Sequence, residues 1–387
     1  MTSNSSQRFK IGIRGLGVCS ASGLNLQECV QSLREEKISL KPLTKNPFIL
    51  GDFSGGEIPF DCELKDRAHE ILYLALDAAL DQAGLSEIEK QKTGVFVGTT
   101  SGLMLSSESQ TYLNPKSLEV FRSQMTARGM GEVAYTAAKR AKISGPIFTY
   151  STACTSSAFA LLEAASFIKN GLIDHAVVIG YETLLNTTLH GFKSLMLYDP
   201  TGHRPFDKNR NGLQLGEGCG VVVLSIDARN SRNYFLGGAA TNDHFNITGS
   251  DLTGLSAVKL LEATLANTGT KKEEIIAIKA HGTGTLDNDL GEGIGFSKFF
   301  NPVPRFSSIK GYMGHTLGAA GAVEVATWLG CIEKGFIPRS AGFETLDEKI
   351  GICPTRETYG SSPGKYLFTY FGFGGSSVGL VVETTYV

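Results

Sequence analysis

Short apolar runs rich in β-branched residues alternate along the chain with longer segments of helical periodicity. Eight runs have the length and composition of buried strands: residues 10–18, 93–100, 147–153, 175–183, 220–226, 275–282, 366–373 and 379–385. Three amphipathic segments predict helices: residues 66–85, 155–171 and 256–269. Each of these segments ends at or near a glycine, a common helix stop. The alternation predicts the α/β class, with sheets buried between helices.

The chain also repeats its own pattern. Three pairs of segments resemble each other in the same order: residues 94–102 with 277–285, 149–171 with 307–335, and 215–225 with 371–382. The second pair gives Cys154 and His315 equivalent positions, in the turn between a strand and a helix. We therefore expect two similar halves, residues 1–230 and residues 231–387. Packed together, they would form one site from equivalent turns.

Composition and charge exclude several classes of protein. The 387 residues include 42% hydrophobic and 19% charged residues, which is typical of a globular chain, and the net charge is -2. This balance favours neither a nucleic-acid nor a membrane-surface partner, although a local basic patch for an acidic partner stays open. The seven cysteines show no paired spacing and no CxxC, so we expect no disulfide framework and no zinc site. No signal peptide and no apolar stretch long enough for a bilayer are found, and we expect a cytosolic protein.

The first candidate for chemistry is Cys154, in the segment STACTSS between a β-type run and an alanine-rich helix. A cysteine at a helix N-terminus is exposed to the macrodipole and to free N–H groups, which lower a thiol pKa from about 8.5. The same N–H groups can form part of an oxyanion hole for a thioester carbonyl. By itself the motif is equally compatible with a structural cysteine in a packed turn.

Two histidines in glycine-rich turns change that balance. His281 opens the segment HGTGT after an apolar run, and His315 lies in KGYMGHTLGAAG. We interpret the other five histidines as ordinary core or surface residues. Cys154, His281 and His315 together indicate nucleophilic catalysis with two further hydrogen-bonding groups.

With these motifs the chain resembles the β-ketoacyl-acyl carrier protein synthases of the elongating, Cys-His-His type, within the thiolase-fold superfamily. The resemblance extends from IGIRGLGVCSASG through PFDKNRNGLQLGEGCGVVVL to TYFGFGGSSVGLVV. It implies a thiolase-like fold with a layered α-β-α-β-α core and no metal or other cofactor. It also implies that Cys154 accepts an acyl group from a thioester. His281 and His315 would stabilise the enolate that forms when a malonyl thioester loses carbon dioxide.

The resemblance extends to further residues. Lys310 corresponds to a catalytic lysine that shapes the electrostatics of the site. Glu324 corresponds to its ionic neighbour, and we expect it among the substrate-binding residues. Phe373 corresponds to an aromatic gate, and its N–H with that of Cys154 would hold the acyl oxyanion. Thr283 and Thr285 correspond to threonines that hydrogen-bond the pantetheine arm, and Asp289 and Glu292 to acidic residues of a structural network near the site. Lys65 and Arg67, at the start of a helix, are candidates either for docking the acidic carrier protein or for a solvated helix face.

Four positions depart from the family pattern: Asn211, Asn246, Ser376 and Ser377. None removes a catalytic group. They make a specialised polyketide or polyene pathway at least as good an expectation as housekeeping fatty-acid synthesis. The acyl chain length is not readable from the sequence.

The implied partners are an acyl carrier protein and a second subunit. That subunit is either a copy of this chain or a related ketosynthase-like chain, because this fold usually dimerises through its central sheets.

Four other classes of protein fit the sequence less well. A thiolase would need a second cysteine in GFGGSS, and a priming synthase would carry asparagine at His315. A non-catalytic chain-length subunit would lack Cys154, and the segment GLGVCS is only a weak match to a dinucleotide-binding loop.

Overall fold

The structure is a computed structural model that describes residues 10–47, 49–104, 129–229, 231–246 and 249–385, without the side chains of residues 64 and 65. Its strands are β1 (Ile11–Ser20), β2 (Lys41–Pro42), β3 (Ser54–Gly55), β4 (Thr93–Gly98), β5 (Ile147–Tyr150), β6 (His175–Glu182), β7 (Gly218–Ser225), β8 (Asn233–Asn242), β9 (Ile275–Lys279), β10 (Arg305–Ser307), β11 (Phe336–Ile337), β12 (Tyr359–Gly360), β13 (Gly364–Phe371) and β14 (Ser376–Thr384).

The helices of the same ranges are α1 (Leu26–Arg34), α2 (Leu64–Ala83), α3 (Glu87–Gln91), α4 (Glu132–Ala141), α5 (Ser156–Lys169), α6 (Asn186–Ser194), α7 (Leu255–Thr268), α8 (Leu286–Phe299), α9 (Lys310–Met313) and α10 (Ala320–Glu333). In this part of the chain, no helix is long and apolar enough to cross a membrane.

Ten of the strands form one sheet whose order shows an internal repeat. From one edge to the other the order is β10-β9-β13-β14-β8-β1-β7-β6-β4-β5. From the centre outward, one set of five strands is β1-β7-β6-β4-β5 and the other is β8-β14-β13-β9-β10. In both sets the strands, numbered by their order in the chain, are arranged as first, fifth, fourth, second and third. The two sets meet where β1 pairs with β8 through Ile11–Phe235 and Gly12–Tyr234. Between the sets, β7 ends at Ser225 and β8 begins at Asn233. We propose that the halves divide in this interval, near residue 230.

Helices cover the sheet in layers. On the outside, α2 and α4 pack against the first set of strands, and α7 with α8 covers the second set. Between the two sets lie α5 and α10, which share one apolar core with strands of both. Trp328 of α10 illustrates this position, because it is fully buried and packs edge-on against Phe368 of β13. The predicted α/β class with a layered core is confirmed.

All eight predicted strands are present, and so are the three predicted helices. The sequence pattern missed the central strand β8, whose segment NYFLGGAATN is rich in glycine and alanine. It also missed α8, where three glycines weaken the helical signal. One of them, Gly295, faces α7 so closely that a Cβ there would lie 2.4 Å from the Cβ of Ala257. These glycines allow close packing between elements, which local propensity does not register.

The dinucleotide-loop alternative is wrong. Gly15 and Gly17 lie inside β1, and a Cβ at Gly17 would lie 1.9 Å from the carbonyl oxygen of Ala75 in α2. These glycines let a helix approach a strand, and they form no loop that could hold a phosphate.

Candidate active site

Cys154 lies in a tight turn between β5 and α5. Ala153, the residue before it, has a left-handed backbone with φ of 52°, a conformation that costs a non-glycine residue about 1–3 kcal/mol. The hydroxyl of Ser156 holds the turn, because it donates to the carbonyl of Ala153 at 2.6 Å and accepts the N–H of Thr152 at 2.9 Å. The side chain is thereby fixed two residues before the first turn of the helix.

The expected lowering of the Cys154 pKa does not occur in the free protein. Burial raises the pKa of the thiol to about 12, since only 5% of the residue is exposed. The positive charge of Lys310 and the backbone N–H groups of Phe373 and Cys154 act in the expected direction, but burial outweighs them. The thiol is therefore protonated near neutral pH.

His281 follows strand β9, and two backbone contacts fix its turn. The N–H groups of His281 and Gly282 donate to the carboxylate of Glu292 at 2.7 and 2.8 Å. Asp289 fixes the next two residues of the turn in the same way, since its carboxylate accepts hydrogen bonds from the N–H groups of Thr283 and Gly284 at 2.9 and 3.0 Å. Both carboxylates are buried in α8, so the predicted acidic network near the site is present.

The hydrogen bonds of the two histidines define their tautomers. Lys310 Nζ lies 3.2 Å from Nδ1 of His281, and the N–H of Leu317 donates to Nδ1 of His315 at 3.2 Å. In each ring Nδ1 is the acceptor, so Nε2 carries the proton. Burial, followed by the charge of Lys310, lowers the pKa of both histidines well below its usual value. Both rings are therefore neutral N–H donors.

Cys154, His281 and His315 line the same cavity, of about 210 Å³. The two histidine rings lie edge to face, with their centroids 5.3 Å apart. The first half of the chain supplies the thiol, and the second supplies both histidines. Further lining residues come from both halves: Phe192, Met196, Leu197, Asn211, Gly212, Leu213, Gly249, Ser250, Thr283, Thr285, Leu286, Asp287, Asn288, Phe371, Gly372 and Phe373.

A buried nucleophilic thiol with two neutral N–H donors in one cavity is an arrangement suited to thioester chemistry. Comparison with known proteins agrees. The family described as "Beta-ketoacyl synthase, N-terminal domain" matches residues 9–229, and "Beta-ketoacyl synthase, C-terminal domain" matches residues 234–344. The chain belongs to the β-ketoacyl synthase family.

Individual relatives include 3-oxoacyl-[acyl-carrier-protein] synthases and a subunit of a polyketide synthase. The chain is 29% identical to 3-oxoacyl-[acyl-carrier-protein] synthase 2 of Synechocystis, over 97% of this chain and 98% of the relative. It is 30% identical to the chloroplastic synthase II of Arabidopsis thaliana, over 79% of this chain but only 60% of that relative. It is also 30% identical to the ketoacyl synthase alpha subunit of the tetracenomycin polyketide synthase of Streptomyces glaucescens, over 77% and 78% of the two chains.

Solved structures show the same fold. The ishigamide ketosynthase/chain length factor superposes with a TM-score of 0.84 at 26% identity, over 97% of this chain and 99% of that one. The ketosynthase ApeO in complex with its chain length factor ApeC, from Xenorhabdus doucetiae, superposes with a TM-score of 0.83 at 24% identity over the full length of both chains.

Two residues assigned to this β-ketoacyl synthase site do not line the cavity. Glu324 was predicted among the substrate-binding residues, but it does not line the cavity. Its carboxylate is enclosed between Lys279 and Lys310, with 2% exposure. Lys310 is equally buried, and it contacts His281 and Glu324 rather than the cavity. The predicted ionic contact between Lys310 and Glu324 is present, and both residues act on the site through their neighbours.

Three other assigned residues of the synthase, Thr283, Thr285 and Phe373, line the cavity. Thr283 and Thr285 face each other with their hydroxyl oxygens 2.9 Å apart. Phe373 stacks on Phe192 with ring centroids 5.5 Å apart, and its neighbour Gly374 has φ of 79°. Gly374 takes a left-handed backbone that favours glycine, and the role of Phe373 as a gate stays a prediction.

Sequence reasoning missed two buried charges beside the site. Glu182, at the end of β6, accepts hydrogen bonds from the backbone and hydroxyl groups of residues 99–101, and its charge raises the pKa of Cys154. Lys279 ends β9, fully buried. In each case a charged residue in an otherwise apolar strand was the available signal, because a buried charge needs a partner.

The departures from the synthase pattern have local consequences. Ser376 Oγ lies 2.8 Å from Thr155 Oγ1, so this serine ties the glycine loop to the turn of Cys154. Asn211 lines the cavity and presents an amide where the family has a carboxylate.

Arg67 does not lie on a solvated face or at a docking surface, since it is 3% exposed and paired with Glu217. The side chain of Lys65 lies outside the described residues.

Proposed function

We propose that this chain catalyses the decarboxylative condensation of an acyl thioester with a malonyl thioester carried by an acyl carrier protein. The observation that supports this most strongly is the shared cavity, where a thiol from one half meets two neutral Nε2–H donors from the other. Family membership supports the reaction class, and the shared cavity supports the roles proposed for these residues.

In the first step Cys154 Sγ attacks the carbonyl of the acyl thioester. A new S–C bond forms, the bond to the pantetheine sulfur breaks, and the thiol proton leaves with the departing thiol. The oxyanion formed on the way is held by the N–H groups of Cys154 and Phe373, both of which approach the sulfur. Because the thiol starts protonated, this step includes a proton transfer.

In the second step the malonyl thioester binds with its carbonyl oxygen at the two Nε2–H groups. The bond to the carboxylate breaks, carbon dioxide leaves, and the electron pair forms an enolate stabilised by His281 and His315. The enolate carbon then attacks the acyl group on Cys154, and the thiolate leaves. Thr283 and Thr285 line the path along which the pantetheine arm would lie.

The experiment that tests this function is intact-mass analysis after mixing the protein with acyl-carrier-protein thioesters of different chain lengths. We expect a covalent acyl adduct on the wild type and none on Cys154→Ala. Malonyl-carrier protein should then clear the adduct and yield a β-ketoacyl product. Absence of both an adduct and malonyl decarboxylation in the wild type would contradict the proposal, and the preferred donor would indicate the pathway.

A second candidate is the catalytic subunit of a heterodimer, as in the ApeO–ApeC complex. One observation favours a partner at a particular place. Strand β5 lies at the edge of the ten-stranded sheet, and Ile147 in it is 41% exposed while Phe148 and Tyr150 are half-buried. An apolar edge strand is a site for pairing with a second chain. Light scattering of the purified chain, alone and with a co-expressed related subunit, distinguishes a homodimer from a heterodimer.

We also propose a cytoplasmic location. All seven cysteines are unpaired, and five of them are buried. Free thiols of this kind suit a reducing compartment.

A further inference from the structure

Lys279 is a second buried lysine beside the catalytic histidines. It lies two residues before His281, at the end of β9, and it is fully buried. Its ammonium group pairs with Glu324 Oε2, donates to the carbonyl of Thr369 at 3.2 Å, and lies 3.7 Å from the centre of the Tyr370 ring. Each face of the ammonium therefore has a partner.

Glu324 is shared between two lysines. Lys279 occupies one carboxylate oxygen, and Lys310 occupies the other at 2.6 Å. The three N–H groups of Lys310 are all used, because it also contacts Nδ1 and the carbonyl oxygen of His281 at 3.2 and 2.7 Å. Burial lowers the pKa of Lys279 to about 7, against the pull of Glu324, so the triad carries an excess positive charge at pH values below about 7 and loses it as the pH rises.

This excess charge lies beside the place where the reaction creates an anion. The charge of Lys279 acts on both His281 and His315, in the direction that keeps each ring unprotonated. A malonyl thioester enters with a carboxylate and becomes an enolate, so the positive charge that protonated Lys279 adds nearby favours the transition state of that step. The charges that act most strongly on the Cys154 thiol are those of Lys310 and Glu182.

We propose that Lys279 is a positioning residue for the malonyl half-reaction alone. It braces Glu324 so that Lys310 stays on His281, and its charge keeps both histidines neutral while an anion forms beside them. This inference rests on the proposed function of the site. It assigns Lys279 to decarboxylation and leaves the acylation of Cys154 to Lys310 and the backbone N–H groups.

The histidines and Lys279 are surrounded by other groups that titrate or carry charge. These are Glu324 of α10, Lys310 of α9, Glu292 of α8, Tyr370 of β13, and His203 beside His315. Removing Lys279 from this set removes one positive charge, so the pKa of His281 and His315 rises. In the variant without Lys279, both rings are therefore protonated at a higher pH than in the wild type.

The test compares Lys279→Met with the wild type in two separate assays. Malonyl-pantetheine decarboxylation is followed by acetyl-pantetheine formation, and Cys154 acylation is followed by intact mass with an acyl-pantetheine. We expect the decarboxylation kcat to fall at least tenfold, with its acid limb moved to higher pH. We expect the acylation rate to stay within twofold of the wild type.

Two further variants complete the design. Lys272→Met is the control, because Lys272, although exposed, also lies 3.7 Å from a ring centre, that of Phe299, and donates to a carbonyl at 2.8 Å, away from the cavity. It should leave both rates unchanged. Lys279→Gln keeps hydrogen-bond donors without the charge, and it should show the same split between the two assays if the methionine variant does not fold.

The possible outcomes distinguish a failure of the proposed function from a failure of the role proposed for Lys279. A wild type that neither accepts an acyl group nor decarboxylates malonyl-pantetheine contradicts the proposed function. An active wild type whose Lys279 variants match it, or lose both half-reactions equally with no shift of the acid limb, overturns the role of Lys279.

Discussion

Lys310 donates a hydrogen bond to the carbonyl oxygen of His281 at 2.7 Å, and the same ammonium lies 3.2 Å from Nδ1 of that ring. One side chain thus fixes both the backbone and the tautomer of a residue 29 positions away. The charge of Lys310 also lowers the pKa of the Cys154 thiol. Lys310 therefore connects the two half-reactions of the site.

Replacing Lys310 with methionine should impair both half-reactions. His281 loses the donor that holds its proton on Nε2, and the Cys154 thiol loses the charge that opposes burial. We expect malonyl decarboxylation and Cys154 acylation each to fall at least tenfold, measured by the two assays described for Lys279. Undiminished acylation would show that the backbone N–H groups alone activate the thiol.

Removing either histidine ring should separate decarboxylation from acylation. In His281→Ala and His315→Ala one of the two donors to the enolate oxygen is lost, and the loss of one such donor typically costs about 10²–10³ in kcat. We expect this drop in malonyl decarboxylation, with an acyl adduct on Cys154 still visible by mass. Cys154→Ala should show the reverse pattern. A histidine variant that also fails to form the adduct, while its melting temperature is unchanged, contradicts the assignment.

The raised pKa of Cys154 predicts the pH dependence of its reactivity. The thiol pKa is about 12, so the thiolate is a small fraction of the Cys154 population near neutral pH. At pH values below the pKa, this fraction increases about tenfold for each unit by which the pH rises. The rate of alkylation of Cys154 by iodoacetamide should therefore rise steadily between pH 7 and 10, as measured by peptide mass, with Cys154→Ala as the background. A plateau below pH 9 would mean that Lys310 and the N–H groups outweigh burial.

The buried pair of Arg67 and Glu217 should be important for stability. Arg67 is 3% exposed, and it also donates to the carbonyls of Ile58 and Phe60 at 3.0 and 3.1 Å. Arg67→Met leaves the carboxylate of Glu217 buried without its cation, which costs about 3–5 kcal/mol. The urea midpoint should fall accordingly. Arg140→Met, which breaks an exposed pair with Asp77, is the control and should leave the midpoint unchanged.

The sequence alone predicted the alternation of strands and helices, because apolar periodicity follows directly from which side chains are buried. Strand β4 and helix α5 are examples, and both lie where their patterns place them. It also predicted Cys154, His281 and His315 as candidates, since short motifs with glycine turns carry their chemistry locally. Strand β8 and helix α8 were missed, because their glycines serve contacts with distant elements.

Tertiary structure alone decided the electrostatics of the site. A helix N-terminus predicts a lowered thiol pKa, but burial of Cys154 reverses the direction. The position of Glu324 between two lysines, and the burial of Arg67, likewise depend on elements far apart in the chain. Solvation and charge depend on everything within several ångströms of a group, whatever its distance along the chain. The sequence therefore determined which groups take part, and packing determined their protonation, their partners and the cavity they share.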